Sequence, residues 1–391
     1  MRSHSTNWLR CALAAVAVAV LPGFAAAQAA APTDSIVPSL PPRTPLPSEA
    51  ATANIRKFSF IAYGDTRGRH DGVELQAEHT LVIESMLRTI KAAATTADPI
   101  RFVLQSGDAI QDGSIAKQLS VSYIPLINRL TQDGGVPYFL SVGNHDVGSS
   151  TDLTNAKRVA GLRNYFAANT RLIPPEGPRR LAGYPTYGFG FGNWFFIAFD
   201  SDIPGDSLQF DWVKRQLEGL DRHRYPNVAL FFHHPPFSSG PHGGATIESQ
   251  AATIRAKWMP LFRKHHVRLL LAGHEHLFEH WTERYTDETG QHRIDEIVSG
   301  GGGAPLYAYT GEPNLREYMS ANAAEHVTLQ HVARPSSDPG GNPFHYVVVH
   351  VDGDNLSLEV IAADWGRGFA PYRSNTASLV DPRPQGTPQK P

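Results

Sequence analysis

Residues 138–146 read YFLSVGNHD, a short apolar run followed by a glycine and three polar residues. A run of aromatic and branched residues that ends at a glycine is typical of a buried β-strand. Asn144, His145 and Asp146 follow the predicted strand, and amide, imidazole and carboxylate groups can all bind metal ions. The stretch therefore predicts a strand that carries metal-binding side chains at one end.

Four further stretches repeat this arrangement, each with a predicted strand directly before potential metal ligands. The pairs are KFSFIAY (57–63) with Asp65, RFVLQ (101–105) with Asp108, VALFF (228–232) with His233, and RLLL (268–271) with His274 and His276. Ligand sites of open α/β folds lie at the carboxyl ends of strands, so we expect the five groups to converge. A glycine before the polar residue in four of the five stretches lets the backbone turn sharply.

Each stretch alone has an ordinary explanation. A Gly-Asp pair after a strand is common in turns, and histidine pairs are common on surfaces. Independent turns do not repeatedly place metal ligands at the same end of successive strands, however, so the combination predicts a metal site. Mixed carboxylate, amide and imidazole ligands suit Mn, Fe or Zn rather than Ca or a thiolate-bound ion.

Predicted helices alternate with the first five strands, whereas later strands mostly follow one another directly. The helices are predicted at 78–94, 115–130, 209–220 and 251–265. The later strands are predicted at 187–191, 194–199, 294–299, 346–351 and 356–361. This order indicates two mixed sheets covered by helices, an α/β sandwich.

The order and spacing of the five stretches, with GNHD at 143–146 and GHEH at 273–276, resemble the calcineurin-like metallophosphoesterase superfamily. The glycine-rich IVSGGGGAPLY at 297–307 makes the purple-acid-phosphatase-like group the most similar within it. The resemblance implies a four-layer α/β/β/α sandwich of two mixed sheets flanked by helices. It also implies two divalent transition-metal ions, Mn, Fe or Zn, as cofactors.

The resemblance further implies a role for each residue at the strand ends. The implied ligands are Asp108 bridging both ions, Asp65 and His276 completing one site, and Asn144, His233 and His274 completing the other. His145 matches the histidine of the family that acts on the transition state. His242 matches a substrate-facing histidine, with a solvated loop position as the alternative.

Two positions depart from the family pattern. Arg67 stands where many members have the histidine of an Asp-x-His pair, and a guanidinium cannot bind a metal. Gln111 stands where purple acid phosphatases have a tyrosinate, so a tyrosinate-to-iron colour is not expected. The first site is left with three expected protein ligands, and Gln111 or water would complete it. Arg67 is suited instead to a bidentate grip on phosphate oxygens.

These features predict an enzyme, a metal-dependent phosphoric ester hydrolase that acts on small phosphomonoesters. Two divalent ions and two carboxylates leave a net positive charge, which would attract a phosphoryl group and stabilise a bridging hydroxide as the nucleophile. His145 would protonate or stabilise an oxygen in the transition state. Phosphodiesters, including cyclic nucleotides, are the alternative substrates. A non-catalytic descendant that binds metal or phosphate is the alternative class of function.

The N-terminus predicts export to the periplasm or the outside of the cell. Arg2 and Arg10 accompany an apolar run that ends in Ala25-Ala26-Ala27, so 1–27 is expected to be a cleaved signal peptide. An uncleaved anchor is the alternative. The other expected boundaries are 28–54 for a linker rich in Pro and Ala, 55–370 for the metallophosphoesterase domain and 371–391 for a flexible tail.

The composition limits the classes of partner. The 391 residues include 35 Lys and Arg against 37 Asp and Glu, and the formal charge is -2. A chain without a basic field is not expected to bind nucleic acid as its main function. Hydrophobic residues, at 41%, are too few for a polytopic membrane protein, and no membrane association is expected after cleavage. A small phosphate ester is the expected partner.

Three further stretches receive structural interpretations. Gly300 to Gly303 lack the lysine of a P-loop and are expected to form a flexible rim of the metal cleft. His265 and His266 end a predicted helix and are expected to cap it. Residues 307–343, which are polar and contain Gly and Pro, are expected to edge the cleft and set specificity.

Overall fold

The computed structural model describes residues 36–244, 246–364 and 368–371 of the chain. The predicted signal peptide, the start of the predicted linker and the predicted tail from residue 372 onward lie outside these residues. The described strands, numbered β1 to β13 in chain order, form two sheets.

The first sheet contains the strands that precede Asp65, Asp108 and Asn144. In spatial order its described strands are β13 (Gly368–Pro371), β12 (Asn355–Asp364), β11 (Phe344–Asp352), β1 (Lys57–Tyr63), β2 (Ile100–Gln105) and β3 (Tyr138–Leu140). β1, β2 and β3 run parallel, whereas β11 pairs with β1 in the antiparallel sense. The carboxyl ends of the three parallel strands therefore lie at one edge of the sheet.

The second sheet contains the strands that precede His233 and His274. In spatial order its described strands are β10 (Thr328–Ala333), β8 (Phe278–Asp287), β9 (Gly290–Ser299), β7 (Leu269–Ala272), β6 (Asn227–Phe231), β5 (Trp194–Ala198) and β4 (Tyr187–Phe191). β5, β6, β7 and β9 run parallel, and β4, β8 and β10 pair in the antiparallel sense. Both sheets are therefore mixed, as predicted.

Phenylalanine rings fill the space between the two sheets. Phe60 and Phe102 of the first sheet are wholly buried, and their ring centroids lie 5.3 and 5.1 Å from that of Phe196 in the second sheet. Both pairs meet edge to face, which the charge distribution of aromatic rings favours. Burial of one such side chain contributes about 1.5–3 kcal/mol to the free energy of unfolding, so this layer holds the two sheets together.

Helices cover the outer faces of both sheets. α1 (Ala77–Ala93) and α3 (Ile124–Gln132) pack on the first sheet, and α6 (Ser207–Glu218) and α8 (Met259–Lys264) pack on the second. The other described helices are α2 (Ala116–Gln118), α4 (Asn144–Val147), α5 (Ala156–Asn169), α7 (Ser249–Thr253) and α9 (Arg316–Ala321), with 3₁₀ turns at Ala323–Glu325 and Pro339–Gly341. The order of helix, sheet, sheet and helix confirms the predicted four-layer sandwich. Among the described helices, none is long and apolar enough to cross a membrane.

Two predicted helices are each interrupted by a wider turn. A π-helical segment, Leu119–Tyr123, separates α2 from α3, and a second one, Ile254–Trp258, separates α7 from α8. Pro125 and Pro260 follow these segments at the second residue of α3 and α8. Proline has no N–H, and its ring clashes with the carbonyl one turn earlier, so a wider turn before it relieves both problems.

The described part of the predicted linker packs against the domain instead of lying free of it. Arg43 N–H donates to Thr131 O at 3.0 Å, and Tyr225 Oη donates to Glu49 Oε2 at 2.8 Å. Ser39 is fully buried. The segment has few large apolar residues, but hydrogen bonds that its backbone donates and that the Glu49 carboxylate accepts supply the anchoring. From residue 36 onward the segment is therefore anchored to the domain.

Candidate metal centre

The predicted ligands lie in five loops at the carboxyl ends of strands. They are Asp65 after β1, Asp108 after β2, Asn144 after β3, His233 after β6, and His274 and His276 after β7. The first three strands are parallel neighbours in one sheet, and β6 and β7 are parallel neighbours in the other. Contacts between side chains from both sheets then define two clusters.

Asp65, Asp108 and His276 form the first cluster, and all three are buried. One ligand atom from each lies within 4.8 Å of the others. His276 Nε2 is 3.5 Å from Asp65 Oδ1, a buried oxygen that accepts no hydrogen bond from the described residues. A buried carboxylate oxygen without a donor is costly unless a cation neutralises it, so the donor set fits a divalent ion.

Asp108, Asn144, His233 and His274 form the second cluster. His233 Nε2 lies 3.0 Å from Asn144 Oδ1, 3.4 Å from Asp108 Oδ1 and 3.1 Å from His274 Nδ1. Ligands bound at about 2.0–2.2 Å to one ion are spaced at such distances. Asp108 belongs to both clusters, which is the arrangement that a bridging carboxylate requires.

Charge and burial suit these groups to their predicted roles. Burial alone would raise the pKa of Asp108, but the positive charges of His233, His145 and Arg67 outweigh it and hold that pKa well below its usual range. Asp108 is therefore ionised. Burial lowers the pKa of His274, which favours the neutral imidazole that metal binding needs.

Three of the predicted ligands adopt a left-handed backbone conformation that is unusual for residues other than glycine. The φ angles are 60° at Asp65, 53° at Asp108 and 69° at His274. Asp65 N–H donates to Gly107 O at 3.0 Å, and His274 N–H donates to Asp65 Oδ2 at 2.9 Å. Such conformations cost of order 1–3 kcal/mol each and persist where surrounding bonds enforce them, most often at functional sites.

The glycines before the ligands are required because neighbouring backbones pack closely against them, as well as because the chain turns there. A Cβ atom on Gly143 would lie 2.6 Å from Asp108 N and 2.9 Å from His233 Cε1. At Gly107, where φ is 104°, it would lie 2.7 Å from Gly143 N. The loops after β2 and β3 therefore approach each other more closely than any side chain permits.

The glycine stretch from Gly300 to Gly303 is buried, and the prediction of a flexible rim is wrong. Gly302 N–H donates to Gly64 O at 2.9 Å. A Cβ atom on Gly300 would overlap the carbonyl oxygen of Glu275 and would lie 2.9 Å from Asp65 Oδ2. The stretch supports the loops that carry Asp65 and His276 because its lack of side chains lets three backbones meet.

Arg67 lies beside the shared aspartate. Its Nε is 3.5 Å from Asp108 Oδ2, and its Nη1 donates to Gln111 Oε1 at 2.9 Å. The Gln111 amide oxygen, predicted as a possible filler of the first metal site, therefore accepts a hydrogen bond from the guanidinium. The two departures from the family pattern interact with each other.

His145 is held against the shared aspartate without belonging to either cluster. Its backbone N–H donates to Asp108 Oδ1 at 2.9 Å, and its side-chain Nδ1 lies 2.8 Å from Gln111 O, to which a protonated Nδ1 donates. Nε2 is 3.9 Å from Asp108 Oδ2, and 25% of the side chain is exposed. This half-buried imidazole is accessible from solvent next to the centre.

His242 lies at the edge of the second cluster. Its ring centroid is 4.5 Å from that of His274 and 5.5 Å from that of Tyr307. Its backbone N–H donates to Glu275 Oε1 at 2.7 Å. The residue is anchored beside the second cluster, with its side chain partly exposed.

The start of the segment 307–343 borders the centre. Tyr307 stacks on His276 with ring centroids 4.0 Å apart, and its N–H donates to His276 O at 2.9 Å. Farther along the segment, β10 pairs with β8 and completes one edge of the second sheet. Residues 328–333 of this segment therefore belong to the second sheet.

Two partners of the histidines were missed by sequence reasoning. Glu248 Oε2 lies 2.9 Å from His274 Nε2, and the carbonyl oxygen of Pro305 lies 2.6 Å from His276 Nδ1. An imidazole that donates one N–H to such a partner presents its other nitrogen, unprotonated, to a metal. Glu248 stands alone in a polar loop, so no local sequence signal links it to His274.

We expect Glu248→Gln to lower the affinity of the second cluster for divalent metal by about ten- to a hundredfold. The loss of the carboxylate weakens the bond that orients His274 and makes its imidazole a poorer donor. Metal titration of the protein measures the effect. Glu317→Gln, which changes an exposed glutamate on α9, is the matched control. Equal affinities in both variants and the wild type would show that Glu248 does not orient His274.

The sequence model of the calcineurin-like phosphoesterase family matches residues 70–278, more than half of the chain. The match contains five of the six predicted ligands and begins after Asp65.

Purple acid phosphatases are among the similar proteins. The chain is 29% identical over 157 residues to probable purple acid phosphatase 20 of Arabidopsis thaliana, covering 39% of this chain and 34% of that protein. It is 27% identical over 108 residues to probable inactive purple acid phosphatase 9 of the same plant, covering 27% of this chain and 16% of that protein. The matches thus span about a third of one relative's length and less than a fifth of the other's.

A solved structure shares the fold. The purple acid phosphatase PPD1 from yellow lupin (Lupinus luteus) seeds superposes with a TM-score of 0.58 at 18% identity, covering 85% of this chain and 54% of that chain. The likeness extends over both sheets because it covers most of the described residues. The two clusters sharing Asp108, the sandwich fold and the family match together identify the chain as a member of the calcineurin-like phosphoesterase family.

Proposed function

We propose that the protein is a metal-dependent phosphoesterase that hydrolyses phosphomonoesters. The observation that carries the proposal is the pair of clusters joined at Asp108, with His145 held beside them. Two cation sites that share one carboxylate are suited to phosphoryl transfer because they neutralise charge on the transferred group.

The donor sets assign residues to two ions. Asp65, Asp108 and His276 would hold one ion, and Asp108, Asn144, His233 and His274 would hold the other. Imidazole, carboxylate and amide donors suit Mn, Fe or Zn. When bound, such ions supply Lewis acidity that polarises the phosphoryl group and activates an attacking water.

His145 is suited to proton transfer at the leaving oxygen. Gln111 O fixes Nδ1 at 2.8 Å, so the ring has one orientation and Nε2 is the atom left to meet the substrate. A protonated Nε2 donates to the leaving oxygen as the P–O bond breaks, and the product alcohol departs neutral. The partial exposure of the side chain keeps this nitrogen in contact with solvent, from which it regains its proton.

Arg67 is suited to hold the phosphoryl group. Its planar fork of N–H donors matches two phosphate oxygens. Gln111 and Asp108 hold it at 2.9 and 3.5 Å, respectively, on the rim of the shared aspartate. The position lets it contact a substrate that bridges the two clusters.

We expect Arg67→Ala to raise the KM for an aryl phosphomonoester by about ten- to a hundredfold, the usual effect of losing a charged hydrogen bond. The rise in KM should be smaller for an aryl phosphodiester, because the guanidinium meets a dianion in the monoester and a monoanion in the diester. Steady-state kinetics on both substrates measure the difference.

Arg67→Lys is the matched control, since it keeps the charge and loses the bidentate geometry. Arg67→His restores an Asp-x-His pair, and a tighter first metal in that variant would show that the position had lost a ligand. Unaltered kinetics of Arg67→Ala on both substrates would contradict a phosphate-binding role.

Side-by-side assays test the proposed function. An aryl monoester, an aryl diester and a cyclic nucleotide are each supplied to the protein loaded with Mn, Zn or Fe. Highest kcat/KM on the monoester supports the proposal, and highest kcat/KM on a diester assigns the protein to the phosphodiesterases. Absence of turnover with all three metals would favour a non-catalytic metal- or phosphate-binding protein.

An exported location is part of the proposal. It rests on the N-terminal sequence pattern, in which Arg2 and Arg10 precede an apolar run and a cleavage pattern follows at Ala25-Ala26-Ala27. The mass of the protein recovered from the cell exterior or the periplasm tests it, since cleavage predicts a chain that begins at Gln28.

A further inference from the structure

A second group of metal-binding side chains lies outside the candidate centre. Asp287 accepts two imidazole contacts, one from His266 Nε2 at 2.7 Å and one from His292 Nε2 at 2.9 Å. The two contacts reach different oxygens of the same carboxylate. One ligand atom of each residue lies within 4.8 Å of the other two, and all three residues are partly exposed.

The side chains of this group are held in place by their neighbours. The His266 and His292 rings stack with centroids 4.1 Å apart and planes 12° apart. On its strand, His292 pairs across the β8–β9 hairpin with Tyr285, whose ring centroid lies 5.2 Å away. Thr289 Oγ1 donates to Asp287 Oδ1 at 2.7 Å and fixes the carboxylate.

The predicted capping of α8 by His265 and His266 is confirmed for the backbone: His265 is the C-cap residue, and the N–H of His266 donates to Arg263 O at 2.9 Å. The His266 backbone adopts a left-handed φ of 46°, and its side chain is directed to Asp287 in the hairpin. The turn after α8 thus brings an imidazole to the hairpin tip.

The group is separate from the candidate metal centre. His266 precedes β7 (Leu269–Ala272), whereas His274 follows it, so the two residues lie at opposite ends of one strand. The hairpin tip that carries Asp287 and His292 joins β8 to β9 at that same amino end of β7, because β9 runs parallel to β7.

We propose that His266, Asp287 and His292 form a structural site for one zinc-class divalent ion. Two imidazoles and one carboxylate are a common donor set for Zn²⁺, with a water as the fourth ligand at an exposed position. Ligand nitrogens around a tetrahedral ion with bonds of 2.0–2.1 Å are about 3.3 Å apart. The ligand atoms already lie within 4.8 Å of one another, and binding requires one imidazole to turn out of the stack, because a ring nitrogen binds an ion in the plane of its ring.

The ion would fasten the β8–β9 hairpin to the turn between α8 and β7. β7 carries His274 and His276 at its other end, so the site strengthens the strand that supports the catalytic loop without touching the reaction. A metal that binds the folded chain alone raises the free energy of unfolding in proportion to the logarithm of its concentration.

Counting bound zinc tests the proposal. The metal-free full-length protein is titrated with Zn²⁺ alone, and the number of equivalents bound is compared between the wild type and His292→Ala. We expect the variant to bind one equivalent fewer, or to bind that equivalent at least about tenfold more weakly. Phosphoesterase turnover at saturating metal should stay within about twofold of the wild type. His223→Ala, which removes an exposed histidine elsewhere, should bind as the wild type does.

His266→Asn provides a second variant, since asparagine tolerates the left-handed backbone. It should lose the same equivalent, and the zinc-induced rise in Tm should shrink in both variants but not in His223→Ala. Equal numbers of zinc equivalents in the wild type and both site variants would overturn the proposal and leave the three residues as a hydrogen-bonded cluster.

Discussion

Asp108→Asn is expected to lower kcat by about three orders of magnitude or more and to reduce the metal content of the protein. The substitution removes one unit of negative charge that both clusters share, so the affinity for both ions falls together with the activation of water. The amide keeps the shape of the side chain and one oxygen, which isolates the effect of charge. Turnover on an aryl phosphomonoester and the metal content of the purified protein measure the two losses.

Asp112→Asn is the matched control for this experiment. Asp112 lies four residues farther along the same loop, where its carboxylate accepts from Ser114 N–H and pairs with Lys157 at 3.0 Å. Its removal should leave both turnover and metal content close to the wild-type values. An Asp108→Asn protein with normal turnover and two ions would disprove the shared site.

His145→Ala is expected to lower kcat by about a hundredfold or more while the metal content stays unchanged. The imidazole contacts Asp108 from outside the clusters, so its loss removes a proton donor and not a ligand. The decrease should be larger for an alkyl phosphate than for a nitrophenyl phosphate. A poor leaving group needs a proton as it departs, whereas nitrophenolate does not.

Metal analysis and a second substitution separate the possible roles of His145. His70→Ala removes an exposed histidine in the neighbouring loop and should leave turnover unchanged. A His145→Ala protein that loses an ion would make the residue a ligand. An equal loss of kcat on both classes of substrate would point to stabilisation of a non-leaving oxygen instead of proton transfer.

The parts of the fold that could be predicted have signals in their own sequence. β1 (Lys57–Tyr63) and β4 (Tyr187–Phe191) have the predicted boundaries, because buried strands consist of unbroken apolar and aromatic runs. The ligand loops were predicted for a similar reason, since a glycine and a polar group directly after such a run are visible without tertiary information. The structure brings these loops together as the order of the strands implied.

The helix α5 (Ala156–Asn169) could not be predicted with the same ease. Gly161 lies in its middle, and glycine lowers intrinsic helix propensity by about 1 kcal/mol. The structure shows the reason for the glycine: a Cβ atom there would lie 2.5 Å from Asp146 O and 2.9 Å from Val147 Cα. Glycine is needed at this position because α5 packs closely over α4, the short helix after β3. The sequence around Gly161 does not show which part of the chain packs against it.

The strand β8 (Phe278–Asp287) was missed because it carries acidic residues that are nonetheless buried. Glu279 is one of them, and its carboxylate accepts from the Ser238 and Ser239 hydroxyls at 3.1 and 3.0 Å. Those donors lie about forty residues earlier in the chain. The sequence around Glu279 therefore gives no sign that its charge has partners, and the same holds for the bond between Glu248 and His274.

The left-handed turns at Asp65, Asp108 and His274 bear on whether the donor loops need a metal ion in order to fold. Each turn is closed by bonds between protein groups, such as Asp65 N–H to Gly107 O at 3.0 Å and Thr66 N–H to Asp108 O at 2.9 Å. Small zinc modules fold only around their ion, but here hydrogen bonds between protein groups hold the loops that carry the donors. We therefore expect the chain to keep its fold while ions at the proposed centre are removed or exchanged.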